Sequence, residues 1–445
     1  MLLSREWLAA ALAAGALLAA TPARAGGFAN PEMGERRTGM GAVVGRPDDL
    51  SAVFHNPAGL ALRPGTRLYV SLGAVFVGTD LRLRPWPGSG RFIDAPVDAQ
   101  GYYPRVAPRQ TAAPIPMLVA ATSLWTDRLV GAVSAYVPNA GGAFFDRHAV
   151  TRYHLIDSYL VAAAGGLSLA WAARPWLAVG AGFDLVYVRL HGSRDLFPII
   201  DGRDLSAFLG AQSSITLTGS ALAPGWNLGV LVWPHPRLSL GAAVISRIDL
   251  DLAGDVVART GADAPGQFEL RGTQHTNQLL PWTLLAGANL DLTHHVEVGA
   301  ELRWYFLRQL QVQHTAISGI GLIDALDQPM LLHDSWQVAG GVRVHGLARG
   351  WEWMAGGHYD RTPAPSSTVN LESPFFSHAG FFSGVRWQAS ARYRLALTWA
   401  HYWYLARATE DSRTVPPTNF AGSGHNDIVT LTLEAALGRG LVRRR

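Results

Sequence analysis

The 445-residue chain contains no cysteine and, among its 37 basic residues, no lysine. Only 16% of its residues are charged, whereas 48 are glycine and 15 are tryptophan. Because no disulfide framework can form, stability has to come from size and from closure of the hydrogen bonds. The formal net charge of +4 is small and indicates no nucleic-acid partner.

The first 25 residues have the pattern of a secretory signal peptide. Arg5 gives a short positive region, an apolar stretch follows, and Ala23-Arg24-Ala25 has the small-residue pattern of a cleavage site. We expect residues 1–25 to be removed, and the shortness of the apolar stretch disfavours a membrane anchor. After Ala25 no apolar run approaches the roughly 18 residues that a spanning helix needs. The mature chain is therefore either a soluble periplasmic protein or a membrane β-barrel.

Alternation of apolar and polar residues favours the barrel. In VEVGAELRWYF (296–306), every second residue is apolar, and the other face carries Glu297, Glu301 and Arg303. The segments DIVTLTLEAAL (427–437), WQVAGGVRV (336–344) and WEWMAGGHY (351–359) alternate in the same way. About ten alternating residues with aromatic ends are typical of a strand that crosses a bilayer at a tilt.

We count fourteen such strands, an even number as in single-chain bacterial barrels. They are 67–83, 116–125, 129–137, 158–172, 176–190, 225–233, 237–252, 279–290, 295–308, 333–345, 350–360, 379–388, 391–403 and 427–437. Short turns alternate with long connections, which are 84–115, 138–157, 191–224, 253–278, 309–332, 361–378 and 404–426. The sequence therefore predicts an all-β fold, a 14-stranded antiparallel transmembrane β-barrel of residues 63–438 with periplasmic turns and extracellular loops. Residues 439–445 are predicted to be a basic tail.

The segment before the first strand is too apolar and compact for a disordered tail. It includes PDDLSAVFHNPAGLA (47–61), and its many glycines disfavour long helices. Fourteen strands enclose a lumen that strand side chains alone cannot fill. We therefore predict that residues 26–62, called the hatch below, fold inside the lumen and plug it, with Asp48 or Asp49 capping a short turn.

The hatch sequence, GGFANPEMGERRTGMGAVVGRPDDLSAVFHNPAGLA (26–61), resembles that of the FadL/TodX type of outer-membrane transporters of long-chain fatty acids and hydrocarbons. Asn56, Pro57 and Ala58 match the Asn-Pro-Ala signature of that family, and Asp48 and Asp49 match its acidic pair. VGAVSAYVPNAGG (130–142), PGWNLGVLVWP (224–234) and DSWQVAGGVRV (334–344) resemble later strands, so the resemblance covers nearly the whole mature chain. The chain departs from the family where GRGLVRRR replaces a final aromatic residue.

The resemblance implies uptake of hydrophobic molecules, which leave sideways through an opening made by a kink in the third strand. Pro138 cannot donate to a ladder, and Gly141 and Gly142 weaken pairing around it, so these three residues are candidates for the opening. Without the resemblance, the alternative is that Pro138 merely ends the strand. Gly26 and Phe28 are candidates for the ligand pocket, because the family places its mature N-terminus near the ligand.

Other candidate site residues come from the strands and loops. Inward-facing charges are predicted at Asp184, Glu297, Glu301, Arg303, Arg343, Glu352 and Arg386. Arg303 or Arg343 is a candidate for binding a carboxylate head group, and the alternative is a set of salt bridges that braces the hatch. Apolar loop residues are candidates for an outer groove, or else pack on one another; they are Phe197, Ile199, Ile200 and Phe208.

We expect a monomeric outer-membrane channel, not an enzyme, for passive uptake of long-chain fatty acids or similar hydrophobic compounds. The sequence has no G-x-S-x-G or H-E-x-x-H motif, and no cofactor or metal is implied. The expected partners are hydrophobic small molecules, outer-membrane lipid and the barrel assembly machinery. Two alternatives stay open, a lipid hydrolase of the outer membrane and a general porin constricted by its N-terminal segment.

Overall fold

The computed structural model describes residues 32–109, 112–197, 199–200, 203–204, 213–261, 266–321, 323–346, 348–372 and 374–438. The predicted signal peptide and basic tail lie outside these residues. Fourteen antiparallel strands form one closed barrel, which confirms the predicted fold class. The strands are β1 (Thr66–Leu83), β2 (Ala112–Ser123), β3 (Leu129–Phe144), β4 (Asp157–Arg174), β5 (Leu177–Asp195), β6 (Ser214–His235), β7 (Leu238–Ile245 and Ile248–Arg259), β8 (Glu269–Leu280 and Thr283–Asp291), β9 (Val296–Tyr305), β10 (Ser335–His345), β11 (Trp351–Asp360), β12 (His378–Gln388), β13 (Tyr393–Thr409) and β14 (Phe420–Gly438).

The first and last strands close the barrel. β1 pairs with β2 on one side and with β14 on the other, in a register that runs from Thr66 opposite Gly438 to Leu83 opposite Phe420. A closed sheet leaves no edge whose N–H and C=O groups would face lipid unpaired. Closure thus replaces the disulfides that the chain lacks as a source of stability.

The side chains alternate between the lumen and the outer wall. In β9, Glu297, Glu301 and Arg303 are buried inside, whereas Leu302 and Trp304 are exposed on the outside. Aromatic residues lie near both ends of the wall; near the turns Trp351 stacks on Trp387, with ring centroids 5.5 Å apart. This arrangement is typical of an apolar band between two aromatic girdles.

Several strands extend further than predicted, so the predicted long connections 191–224, 253–278 and 404–426 are too long. The corresponding loops are 196–213, 260–268 and 410–419. Above the apolar band both faces of a strand meet water, so pairing continues there without an apolar alternation to reveal it. The predicted strand 279–290 is also wrong at Pro281, where β8 is interrupted, and β7 is interrupted at Ser246 and Arg247.

In their described parts, the loops carry two small hairpins and two short 3₁₀ helices. Val312–Ser318 pairs with Ala325–Pro329 and also extends the sheet from β8, and Ile199–Ile200 pairs with Arg203–Asp204. The 3₁₀ helices are Ser89–Arg91 and Ser366–Thr368. The turns at the opposite end are short, as predicted: 124–128, 175–176, 236–237, 292–295, 346–350 and 389–392.

Residues 32–62 of the hatch lie inside the barrel. They form α1 (Glu35–Met40), α2 (Ala52–His55) and a 3₁₀ helix (Pro57–Leu62). α1 contacts β10 to β14, whereas the 3₁₀ helix contacts the opposite wall, β3 to β6. No helix in the described part of the chain is long and apolar enough to cross a membrane. The hatch thus spans the lumen from one wall to the other.

Candidate functional site

Glu301 of β9 holds the middle of the hatch against the wall. Its Oε2 accepts hydrogen bonds from the backbone N–H groups of Val43 (2.7 Å) and Val44 (2.8 Å). Its Oε1 accepts from Arg303 Nε at 2.6 Å, and Arg37 of α1 lies 3.5 Å away. Because all of these groups are buried, each depends on the others for its hydrogen bonds and charge balance.

A second buried cluster surrounds Asp48. Arg343 Nη1 donates to Asp48 Oδ2 at 2.5 Å, and Arg36 and Arg386 lie within 3.4 Å. Glu297 pairs with both Arg36 and Arg343. Burial alone would raise the pKa of Asp48, but the guanidinium groups around it hold that pKa well below its usual value. Hatch and wall are therefore joined by an ionised network.

The Asn-Pro-Ala sequence fixes the exit of α2. Asn56 Nδ2 donates to the carbonyl oxygens of Val44 and, across in β6, Val230, both at 3.1 Å. Asn56 Oδ1 accepts from the N–H of Ala58 at 3.2 Å and so caps the 3₁₀ helix, whose first residue is Pro57. The motif thus ties the hatch to itself and to the wall.

An inner pocket lies where the hatch meets β3 to β9. Its apolar lining includes Phe54 of α2, Tyr136, Val186, Ile248, Leu280 and Tyr305. Pro138, Asn139, Asp184, Asn227 and Arg303 also face it. Its volume of about 70 Å³ is roughly half that of a cavity known to admit benzene. A ligand therefore needs Phe54 or another part of the lining to move.

The wall beside this pocket is irregular at β3. The pairing of β3 with β2 stops at Tyr136 opposite Met117, and among the described residues none of 137–143 pairs with β2. On the other side β3 stays paired with β4, with a register shift between Tyr136 and Asn139. Pro138, Pro114 and Pro116 lack the N–H groups that a ladder needs at this place. β3 does not end at Pro138 but continues to Phe144, with Gly141 and Gly142 inside it.

A second interruption lies between β6 and β7, also against the pocket. Ladder pairs are missing between 221–226 and 246–252 in the described structure. Ser246 bridges the two strands there: its N–H donates to Trp226 O at 2.8 Å, and its Oγ accepts from Trp226 N at 2.9 Å. The alternation of residues 237–252 predicts one continuous strand, and the polar Ser246-Arg247 pair within it gives no sign of this interruption.

An outer cavity lies among the loops. Its volume is about 470 Å³, and Phe197 and Ile199 line it together with Leu190, Ile215 and Leu217. Ile200 is placed by its backbone pairing with Arg203. Phe208, the fourth residue predicted for an outer groove, lies outside the described residues.

The two arginines predicted to bind a head group are both held in ion pairs or hydrogen bonds with the hatch or wall. Arg303 faces the inner pocket, but its guanidinium donates to Glu301 and His55, and Arg343 is engaged with Asp48, Glu297 and Glu352. Both arginines therefore brace the hatch in this structure. Gly26 and Phe28 lie outside the described residues. Tyr136 and Asn227 line the pocket without having been predicted, and no sequence pattern singles them out.

Comparisons with known proteins agree with this architecture. The chain is similar in structure to a FadL homologue from Pseudomonas aeruginosa, with a TM-score of 0.76 and 18% identity over 93% of this chain and 100% of that chain. It is similar to the toluene transporter TodX of P. putida (TM-score 0.70, 16% identity, 95% and 100% covered). It is also similar to the toluene transporter TbuX of Ralstonia pickettii (TM-score 0.65, 16% identity, 89% and 97% covered). A search of curated protein sequences gave no match.

The structural similarities, at 16–18% identity, show the fold, and a family model shows the family. The model for outer membrane transport proteins, OMPP1/FadL/TodX, matches residues 16–435. The family is one of transport proteins, which agrees with the expectation that the chain is not an enzyme. The chain therefore belongs to the OMPP1/FadL/TodX family of outer membrane transport proteins.

Proposed function

We propose that the protein is a passive channel through which long-chain fatty acids or similar hydrophobic compounds enter the cell. The observation that carries this proposal is the apolar inner pocket between Phe54 of the hatch and the unpaired part of β3. An open polar pore would not need such a pocket behind a buried, ion-paired plug. Several structurally similar proteins are described as toluene transporters, so aromatic hydrocarbons are also candidate substrates.

The route begins at the outer cavity. Burial of a hydrocarbon chain gains about 0.8 kcal/mol per CH₂ group, so a long chain held along its whole length would leave slowly. A large, partly polar outer cavity holds such a molecule weakly, and a small inner pocket holds it only after the hatch has moved. Return of the hatch then expels the ligand.

The exit that we propose is sideways, between β2 and β3. Residues 137–143 lack ladder partners on β2, and Pro138 and Asn139 line the inner pocket at the same place. A hydrophobic molecule that leaves here passes into lipid without entering water. Gly141 and Gly142, just beyond Pro138, have no side chains to fill the wall there.

The remaining expectations about the mature protein belong to the same proposal. Cleavage after Ala25 leaves Gly26 and Phe28 near the inner pocket, the hatch ends at residue 62, and the barrel assembly machinery inserts a monomer in outer-membrane lipid. The end of β14 presents Leu437 in place of an aromatic residue.

Uptake of labelled palmitate and labelled toluene by cells with and without the gene tests the proposal. We expect the gene to increase uptake of at least one of them, while the purified protein in planar bilayers conducts few ions because the hatch is closed. Equal uptake of both compounds in the two strains would refute the transport proposal. Steady ion conductance would favour the constricted porin, and release of fatty acid from lipid would favour the hydrolase.

A further inference from the structure

Asp184 places a carboxylate at the inner pocket. It lies on β5 opposite Gly166 of β4, and a Cβ atom at position 166 would lie 2.1 Å from Asp184 Oδ1. Only glycine therefore leaves room for the carboxylate against the wall. The phenol of Tyr136 on β3 lies beside this carboxylate, and both residues line the pocket.

Asp184 differs from the carboxylates that brace the hatch. Glu297, Glu301, Glu352 and Glu434 each lie within 4.0 Å of at least one arginine. No such ion pair is formed by Asp184 among the residues that the structure describes. A carboxylate without a cation, half-buried in a membrane-spanning wall, is costly and is by default a sign of a functional site.

Asn227 offers a second acceptor in the same pocket. Its Nδ2 donates to the carbonyl oxygen of Val53 at 2.9 Å, which fixes the orientation of the amide. Its Oδ1 is buried and has no hydrogen-bond partner among the described residues. Buried polar atoms are nearly always paired, so an unpaired one beside a pocket indicates where a ligand atom binds.

We propose that the inner pocket binds neutral amphiphiles that present a hydroxyl group, with Asp184 accepting the hydrogen bond from that hydroxyl. This inference rests on the proposed transport function and names its substrate class. Asp184 and the Oδ1 of Asn227 can both accept a hydrogen bond, so what the pocket offers a ligand is acceptor capacity. The apolar lining of Phe54, Val186, Ile248 and Leu280 takes the hydrocarbon part.

Other head groups fit these residues less well. A fatty-acid carboxylate meets the like charge of Asp184, while Arg303, the nearest guanidinium of the lining, is occupied by Glu301 and His55. A plain hydrocarbon leaves both acceptors unpaired. An ammonium group would be attracted by Asp184 but also repelled by Arg303, and its dehydration is far costlier than that of a hydroxyl.

The test compares four ligands with the same twelve-carbon chain: 1-dodecanol, dodecanoate, dodecane and dodecylamine. Binding of each labelled compound is measured with the full-length protein in lipid nanodiscs, with empty nanodiscs as the background. We expect wild type to bind the alcohol about tenfold more tightly than the other three, which is about the net contribution of one hydrogen bond. Asp184→Leu is expected to abolish this preference, whereas Asp184→Asn, which keeps an acceptor oxygen, retains it.

The control is Asp255→Leu, which removes an exposed carboxylate of β7 away from the pocket and should leave all four affinities unchanged. The preference is a ratio within one preparation, so partial misfolding of a variant does not alter it. Tightest binding of the carboxylate, the alkane or the amine by wild type would overturn the proposal, as would an unchanged preference in Asp184→Leu. If the hydroxyl proposal fails in one of these ways but any of the four ligands binds saturably, the transport proposal stays intact. If none of them binds saturably, the result counts against the hydroxyl proposal and the transport proposal alike.

Discussion

The imidazole of His55 is hydrogen-bonded at both nitrogens inside the hatch. Nε2 lies 2.7 Å from the carbonyl oxygen of Met33, which can only accept, so Nε2 carries the proton. Nδ1 therefore accepts from Arg303 Nη2 at 3.1 Å. Burial first, and the charge of Arg303 second, lower the pKa of His55 from 6.5 to about 3. The hatch is thus built around a neutral histidine.

Acid should loosen the hatch through this residue. Because the pKa of His55 is lower in the closed hatch than in water, its neutral form stabilises the closed hatch fully above about pH 6.5. This stabilisation is lost as the pH falls toward 3, and the loss is about 2 kcal/mol at pH 5. We expect the leak conductance of wild type in planar bilayers to rise over this range. In His55→Gln, whose amide can bond both partners without titrating, the rise should be smaller.

The comparison of the two proteins is needed because other hatch groups respond to acid in the opposite sense. Burial raises the pKa of Glu32 and of Glu35, so both are protonated more readily in the folded hatch. Glu32 and Glu35 are present in both wild type and variant, so their contribution cancels when the two conductance profiles are subtracted. Identical conductance profiles for the two proteins would show that His55 does not control the hatch.

At the scale of the strand, three prolines account for the place where the wall is unpaired. Pro114 and Pro116 lie on β2 and Pro138 on β3, so N–H groups are missing on both sides of the interruption. Replacing all three by valine should extend the ladder beyond Tyr136 and close the proposed exit. We expect uptake of a hydrophobic probe by cells to fall severalfold, while its binding to purified protein is kept.

The matched control for this variant is Pro175→Val, which alters a proline in the turn between β4 and β5, far from the interruption. Its uptake should equal that of wild type. If the triple variant transports as well as wild type, ligands do not leave between β2 and β3, and the interruption between β6 and β7 becomes the next place to test.

Strands inside the apolar band could be predicted from the sequence, and strands outside it could not. For β9, the alternation of Val296 to Tyr305 between lipid and lumen predicts a strand over 295–308, which begins one residue early and ends three residues late. Most of the first half of β8, residues 269–278, falls in a predicted loop, because both of its faces are polar above the membrane. The composition of the hatch and its resemblance to a family predict where it lies. Its contacts with the wall join residues far apart in sequence, such as Arg37 with Glu301 and Gln337, which are 264 and 300 positions away, and no local pattern encodes them.

At the scale of the molecule, the proposed transport route requires the hatch to move against the barrel, and a sequence without cysteine allows a direct test. Ala42 of the hatch faces Gly299 of β9, and a Cβ at position 299 would lie 3.1 Å from that of Ala42. This is slightly below the usual separation in a disulfide. The atoms in the way, Asn289 Nδ2 and Met40 Cε, are ends of side chains that can shift.

The double variant Ala42→Cys with Gly299→Cys should therefore form a disulfide that locks the hatch to the wall. We expect cells that carry the double variant to lose most uptake of the hydrophobic probe after treatment with a thiol oxidant. A membrane-permeable reductant should restore the uptake. Each single variant carries one thiol, cannot form the bond, and serves as the control. Full uptake through a demonstrably cross-linked protein would mean that ligands pass a stationary hatch, which would replace the moving plug with a fixed narrow pore.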